Sequence, residues 1–320
     1  MSLPLRLRKA KALVSQSSQT KSDPSNAEGK ADASPPFPFA RYISVTGVHV
    51  CLLVFTALYL PRTDLSFLIS LSPFQRRHVD TGGSQDAPSD AMTLLTSNPT
   101  QTVAWMCLGT FIIQAWWSNW LKTWSVEARE AATGKQDAAE LTKQKMRRRF
   151  LNDLWTFKGA FAATAIVSVA FHVVLVFFGA PIASHVFQTY YLALLLALLT
   201  IWTPAYALGP PTMGSNTESL LIRLTWIRLF AELSPRTPLE RTMVYPAIGA
   251  MLGCWSGAIP IGLDWDRPWQ AWPLTPAFGA IFGYIAGSLT ALVTSVVTWL
   301  AETDIISSQV PAKKQKGKQR

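Results

Sequence analysis

LTPAFGAIFGYIAGSLTALVTSVVTWL, residues 274–300, runs for 27 residues without one Asp, Glu, Lys or Arg. Crossing the hydrocarbon core of a bilayer takes about 20 apolar residues in a helix. Only helices and closed barrels satisfy their own backbone there, so a continuous apolar run of this length predicts a membrane-spanning helix. Working back along the chain, uncharged stretches of the same kind lie at about 243–262, 186–208, 159–179, 103–121 and 42–60. The expected fold is an all-α polytopic membrane protein with six transmembrane helices. Composition agrees: 49% of the 320 residues are hydrophobic and 15% are charged, against roughly 25% charged in soluble domains.

The net charge of +10 would suggest nucleic acid if it coated one face of a soluble domain. Here it sits in tails and loops, so no nucleic-acid partner is expected. Segments 1–41, 122–158, 209–242 and 301–320 hold 25 of the 29 Lys and Arg, while 61–102, 180–185 and 263–273 hold 4. Cytosolic segments carry the basic excess, and the alternation is strict, so both termini are expected in the cytosol. The expected organisation is a disordered basic cytosolic tail over 1–41, a six-helix membrane domain over 42–300 and a basic cytosolic tail over 301–320. Within the membrane domain, 61–102 is a non-cytosolic loop, and 122–158 and 209–242 are cytosolic loops. LPLRLRKAKALVSQSSQTKS near the start has the composition of a mitochondrial presequence, but the later spans and the DASPPFPF stretch favour a cytosolic tail.

Several local readings follow from the same pattern. Ser215-x-x-Glu218 is expected to cap an amphipathic helix, LLIRLTWIRLFAEL, lying on the cytosolic membrane surface. Trp116, Trp117, Trp120 and Trp124 are expected to form an aromatic belt at the end of the second span. His49 and His172 fall inside spans, as do Gln114, Asn119 and Gln188, and the two histidines are expected to make interhelical hydrogen bonds rather than mark an ion pathway. Cys51, Cys107 and Cys254 each lie in an apolar span, with no paired spacing, and read as packing residues.

The last two spans carry Gly249, Gly253 and Gly257, and Gly279, Gly283 and Gly287, two stripes with a four-residue period. Such stripes let helices approach closely. They either pack spans five and six against each other or receive a helix from another protein. Ala291, past the last glycine, is expected to tolerate bulk better.

Between those spans lies PIGLDWDRPWQAWP, residues 260–273, on the non-cytosolic side. The third loop, GAPIASH, faces the same way and brings His185. Asp264, Trp265, Asp266, Arg267, Pro268, Trp269 and His185 therefore form the candidate site. The plainer reading is a rigid hairpin closed by an Asp–Arg pair with its Trp rings in the interface. The sharper one is a polar recognition site at headgroup depth. Asp264-x-Asp266 is also the pair that many glycosyltransferases place on a metal or sugar phosphate, though three residues specify little. A two-metal site needs roughly six His or Asp ligands. Of the further candidates His78, Asp64, Asp80, Asp86 and Asp90, most lie in a Gly/Ser-rich segment (DTGGSQDAPSDAM) expected to be disordered. No catalytic residue, metal or cofactor is therefore expected.

The LDWDRPWQ-WP run, the preceding GCWSGAIP, and FGAPIASHVFQTYYLALLLALL with its GAP-x-x-x-H-x-x-x-T spacing resemble the Pig-F family of glycosylphosphatidylinositol (GPI) anchor biosynthesis proteins, its fungal branch in particular. The likeness covers roughly residues 155–298, with Gly262 standing where some members carry proline. The resemblance implies a multi-pass protein of the endoplasmic reticulum. It implies a non-catalytic subunit of late GPI assembly that stabilises the large ethanolamine-phosphate transferase. Membrane lipids, GPI precursor or phosphatidylethanolamine among them, are the further partners it allows. Two alternatives stand beside it: a lipid-binding or lipid-presenting protein using the Trp-lined loop, and a membrane transferase using the Asp264-x-Asp266 pair.

Overall fold

The computed structural model of the chain describes residues 39–62, 95–133, 142–263 and 265–316, and gives side chains there except over 128–152 and 306–316. Asp264, the whole of the tail before α1 and the greater part of the first loop, with His78, lie outside the described residues. All described elements are helical: α1 (Phe39–Leu58), α2 (Pro99–Thr133), α3 (Thr142–Phe177), α4 (Val186–Ala197), α5 (Thr203–Leu208), α6 (Thr217–Trp226), α7 (Pro238–Ala258) and α8 (Leu274–Lys316). Five helical runs are long and apolar enough to cross a membrane: Phe39–Arg62, Asp153–Phe177, Val186–Leu208, Pro238–Leu263 and Leu274–Ile305. The sixth expected span, 103–121, lies within α2, which is long enough, but its tryptophans with Gln114, Ser118 and Asn119 make it less apolar than the other five. α2, α3 and α8 also run on well beyond the expected span ends.

The helix run from Val186 to Leu208 is apolar on every side and most of it is buried, as a helix without a polar face must be. Its Leu192, Leu195, Leu199 and Trp202 meet Leu53 of α1, Met106 of α2 and Tyr284 of α8 in one core. Pro204 lacks an N–H, which removes one helical hydrogen bond, and the chain passes through a π turn, Leu198–Trp202, just before it.

α7 and α8 pack through their glycines. A Cβ on Gly249 or Gly253 would overlap the carbonyl oxygen of Gly283 or Gly279, and the reverse holds from α8. Even the Cα of Gly283 lies only 2.9 Å from where a Cβ on Gly253 would stand. The stripes face each other and leave no room between them for a foreign helix. Ala291, where tolerance was expected, is fully buried.

Both ends of the bundle are pinned. At one end Tyr42 and Thr242 share a hydrogen bond of 2.9 Å between α1 and α7. Beside it, Arg41 lies over the Trp120 ring at 4.2 Å, Lys122 donates to Asp153 at 2.7 Å, and Arg241 donates to Thr298 at 2.9 Å. At the other end Gln188 Nε2 donates to Thr100 Oγ1 at 3.0 Å, joining α4 to α2.

Three sequence expectations change here. The capping box belongs to Thr237 and Glu240 at the start of α7, where Glu240 N–H donates to Thr237 Oγ1 at 3.2 Å and Thr237 N–H to Glu240 Oε2 at 3.3 Å. α6 instead begins after Asn216, whose Oδ1 accepts from Ser219 Oγ, so Ser215 and Glu218 form no box. Trp117 and Trp124 are core residues rather than belt, only 1% and 4% exposed. Among the described residues the histidines contact rings and make no hydrogen bond: His49 stacks on Trp117 at 4.5 Å with both nitrogens unpartnered, and His172 meets Tyr190 at 6.2 Å. The interhelical hydrogen bonds go to Gln188 and to Gln114, which accepts from Thr203 at 2.8 Å. α6 shows Leu220, Leu221 and Leu224 at its surface.

Candidate interaction site

After Ala258 the chain tightens into a 3-10 turn, Ile259–Leu263, and a second one follows at Pro268–Gln270. Asp266 takes φ +49°, a left-handed conformation that Asp accepts more readily than most residues. Arg267 is extended, at φ −100° and ψ 139°, as the residue before a proline must be. Gln270 closes the turn. Its Oε1 accepts from Arg267 N–H at 2.9 Å, its Nε2 donates to the Pro260 carbonyl at 2.7 Å, and its own N–H donates to the Arg267 carbonyl at 2.9 Å.

The turn is also tied to the neighbouring loop. Trp272 Nε1 donates to Thr189 Oγ1 at 3.1 Å, and that hydroxyl donates in turn to the His185 carbonyl at 3.1 Å. The indole, the hydroxyl and the peptide carbonyl form one chain of hydrogen bonds from the α7–α8 turn into the first turn of α4. Neutral bonds of this kind contribute about 1 kcal/mol each, but together they fix how the two loops sit against one another.

The outward face presents Trp265, Asp266, Arg267 and Pro268, all exposed, with Trp269 half-buried and its ring edge-on to Trp265 at 5.8 Å. His185 is exposed at the cap of α4 and joins the turn through its carbonyl; among the described residues its imidazole bonds neither Asp266 nor Arg267. Asp266 and Arg267 form no ion pair with each other, and the described bonds that close the turn come from Gln270; an Asp264–Arg267 pair falls outside the described residues. The motifs place Trp272 among the rings around the site, but nothing in them marks its bond to Thr189 or the bracing role of Gln270. Among the described residues no three His, Cys, Asp or Glu side chains gather as metal ligands would. A braced turn of this kind can offer a guanidinium fork to phosphate or carboxylate and indole faces to a cation or an interface.

The model of the GPI biosynthesis protein family Pig-F matches residues 87–292, which include this whole turn and the loop it is tied to. The chain belongs to that family. Among the Pig-F relatives, the chain is 36% identical over 118 residues to the human "GPI ethanolamine phosphate transferase, stabilizing subunit", covering 37% of this chain and 49% of that protein. It is 36% identical over 143 residues to "glycosylphosphatidylinositol anchor biosynthesis protein 11" of Yarrowia lipolytica, covering 44% and 57%. It is 38% identical over 123 residues to the "PIGF/3-ketodihydrosphingosine reductase fusion protein" of Schizosaccharomyces pombe, covering 38% and 22%. The chain spans about half the length of the first two and less of the fusion protein. No solved structure matches it.

Proposed function

We propose that the chain is a non-catalytic membrane subunit of late GPI-anchor biosynthesis in the endoplasmic reticulum, assembling with and stabilising a GPI ethanolamine phosphate transferase. The observation that carries this reading is membership of the Pig-F family, together with the names of the human and mouse relatives. The turn supports it from the chemistry. Its described hydrogen bonds are spent on rigidity, and among the described residues it presents the Asp266 carboxylate, the Arg267 guanidinium and the Trp265 and Trp269 indoles.

In this reading α2 crosses the membrane with the five more apolar runs, both termini are cytosolic, and the α7–α8 turn is lumenal. The gathering of Arg41, Lys122 and Arg241 at the end opposite that turn supports the orientation. The exposed leucines of α6 then lie on the cytosolic surface, and the two glycine stripes hold the last hairpin together. His185 and residues 264–269 form the face toward the transferase or its lipid substrate.

Affinity purification of the full chain in mild detergent with mass spectrometry, alongside GPI-precursor profiling of cells depleted of it, tests the reading. A large transferase should co-purify, and precursors short of ethanolamine phosphate should accumulate on depletion. A chain that purifies alone and transfers ethanolamine phosphate unaided would overturn it.

A further inference from the structure

α2 and α3 follow one another in sequence and both pack on the α4–α5 run, yet along the cavity their backbones stay apart. The gap between them is a cavity of about 370 Å³. α2 contributes Ala104, Cys107 and Leu108; α3 contributes Phe161, Thr164 and Ala165; Tyr190 to Leu198 of the central run form the floor. The small side chains on its walls, Ala104 and Ala165, leave the space between the helices unfilled. The π turn before Pro204 ends the cavity with Trp202, held edge-on by Phe111 at 5.0 Å and Phe157 at 5.2 Å. Just beyond that ring cluster Lys122 bonds Asp153 at 2.7 Å and closes the cleft.

The lining is almost wholly apolar, and the donors of its Cys107 and Thr164 are already engaged. Cys107 Sγ donates to the Tyr191 carbonyl at 3.2 Å, and Thr164 Oγ1 to the Ala160 carbonyl at 2.8 Å. Apolar cavities stay dry: one of ~150 Å³ lined by Leu, Ile and Phe excludes water and accepts benzene. The mouth is flanked by Leu108 and Phe161, 48% and 57% exposed, and beyond them by exposed Ile112 and Ile166. These belong to the face that meets hydrocarbon once the helices span. A helix is about 10 Å across with its side chains and rises about 5.4 Å per turn. A cavity of about 370 Å³ therefore has room for roughly one turn of it, while a single hydrocarbon chain can run along the cleft. At the end nearer the α3–α4 loop stand Tyr190 and Ser168, with hydroxyls 3.5 Å apart, and His172. That end has polar groups within reach of a lipid's ester region.

From this geometry we infer that the cleft between α2 and α3 is a binding site for one acyl chain of a bilayer lipid, entering from the leaflet on the side of the α7–α8 turn. The inference rests on the membrane-spanning reading above, and its test separates the two. The full chain is reconstituted in phosphatidylcholine nanodiscs containing a phosphatidylcholine with a mid-chain diazirine, irradiated, and its adducts mapped by mass spectrometry. Adducts, assigned to single residues by fragmentation, should concentrate severalfold at Cys107, Thr164 and Leu194 over the exposed Val169 and Leu252. Ala165→Trp should cut the cleft adducts severalfold and leave those at Leu252 unchanged. Ala104→Leu, a smaller filling from the opposite wall, should do the same if the tryptophan variant misfolds. Equal labelling of cleft and outer face, or no response to either filling, would overturn the site. Loss of cleft adducts on assembly with a partner, with protein cross-links in their place, would overturn it in favour of a partner helix. Absence of adducts at Val169 and Leu252 as well would instead refute the membrane-spanning reading.

Discussion

Trp272 gives its indole N–H to Thr189, and Thr189 gives its hydroxyl proton to the carbonyl of His185. Two residues 83 positions apart thereby lock the α7–α8 turn to the cap of α4. Trp272→Phe keeps the ring and removes the donor, and should lower stability by about 1 kcal/mol. Thr189→Val should cost slightly more, since it also frees the His185 carbonyl. Because the variants break one shared link, the double variant should fall short of the sum. A fluorescence-detected thermal melt of the purified chain reads this, and fully additive losses would contradict the link.

The glycine stripes set a sharper test. Gly253→Leu and Gly283→Leu place side chains where backbone already stands, so both should collapse accumulation of the protein. Gly47, exposed on α1 with nothing near its missing Cβ, is the matched control, and Gly47→Ala should accumulate as the parent does. Ala291→Leu should also be damaging, since Ala291 is buried. Equal tolerance of all four variants, read by immunoblot of membranes, would make the close packing incidental.

These cases show what pattern can and cannot carry. Uncharged runs and glycines every fourth residue are local signals with one physical solution each, so the helices and the close-packed pair were legible. Which of two similar strings caps a helix was not. Ser215-x-x-Glu218 and Thr237-x-x-Glu240 read alike, and the choice turned on Asn216 taking the extended cap and on Arg228 reaching Glu240. Trp116, Trp117, Trp120 and Trp124 likewise sit on one short segment, and only tertiary packing sends Trp117 and Trp124 inward. At the site, charge drew attention to Asp266 and Arg267, while an uncharged Gln270 does the bracing. Amide bonds to backbone atoms leave no compositional trace.

Glu240 is such a junction. Its carboxylate accepts from Arg228 at 2.5 and 3.1 Å, and from the N–H groups of Arg236 at 2.7 Å and Thr237 at 3.3 Å. Losing an N-cap alone costs about 1 kcal/mol. Thr237→Ala should therefore lower the melting temperature modestly, and Glu240→Ala more, because it also strands a part-buried guanidinium. Glu240→Gln, which keeps an acceptor, should fall between the two. A Glu240→Ala melt no lower than that of Thr237→Ala would show that the Arg228 pair contributes nothing.

The proposed orientation places the turn in the lumen. Gly262 is exposed with open space around its missing Cβ, so Gly262→Cys should fold unchanged and leave Gln270 in place. In sealed microsomes an impermeant thiol reagent should not reach it, and detergent opening should expose it. Labelling of Gly262→Cys in sealed vesicles would reverse the topology.

Asp266 separates shape from charge. Its backbone sits at φ +49°, where glycine is at ease, Asn and Asp are tolerated, and β-branched residues are strained by about 1–3 kcal/mol. If the turn works as a braced surface, Asp266→Asn and Asp266→Gly should keep most transferase recovery and GPI processing. Asp266→Val should lose both together, and so should Gln270→Ala, which removes the bonds to Arg267 and Pro260 without touching a charge. If Asp266 instead carried chemistry with Asp264, the order would invert: Asp266→Asn would leave the complex assembled and abolish ethanolamine-phosphate addition, while Gln270→Ala would weaken assembly only. Pull-down of the transferase and precursor profiling on the same four variants decide between them. An assembled but inactive Asp266→Asn complex would end the scaffold reading of the turn.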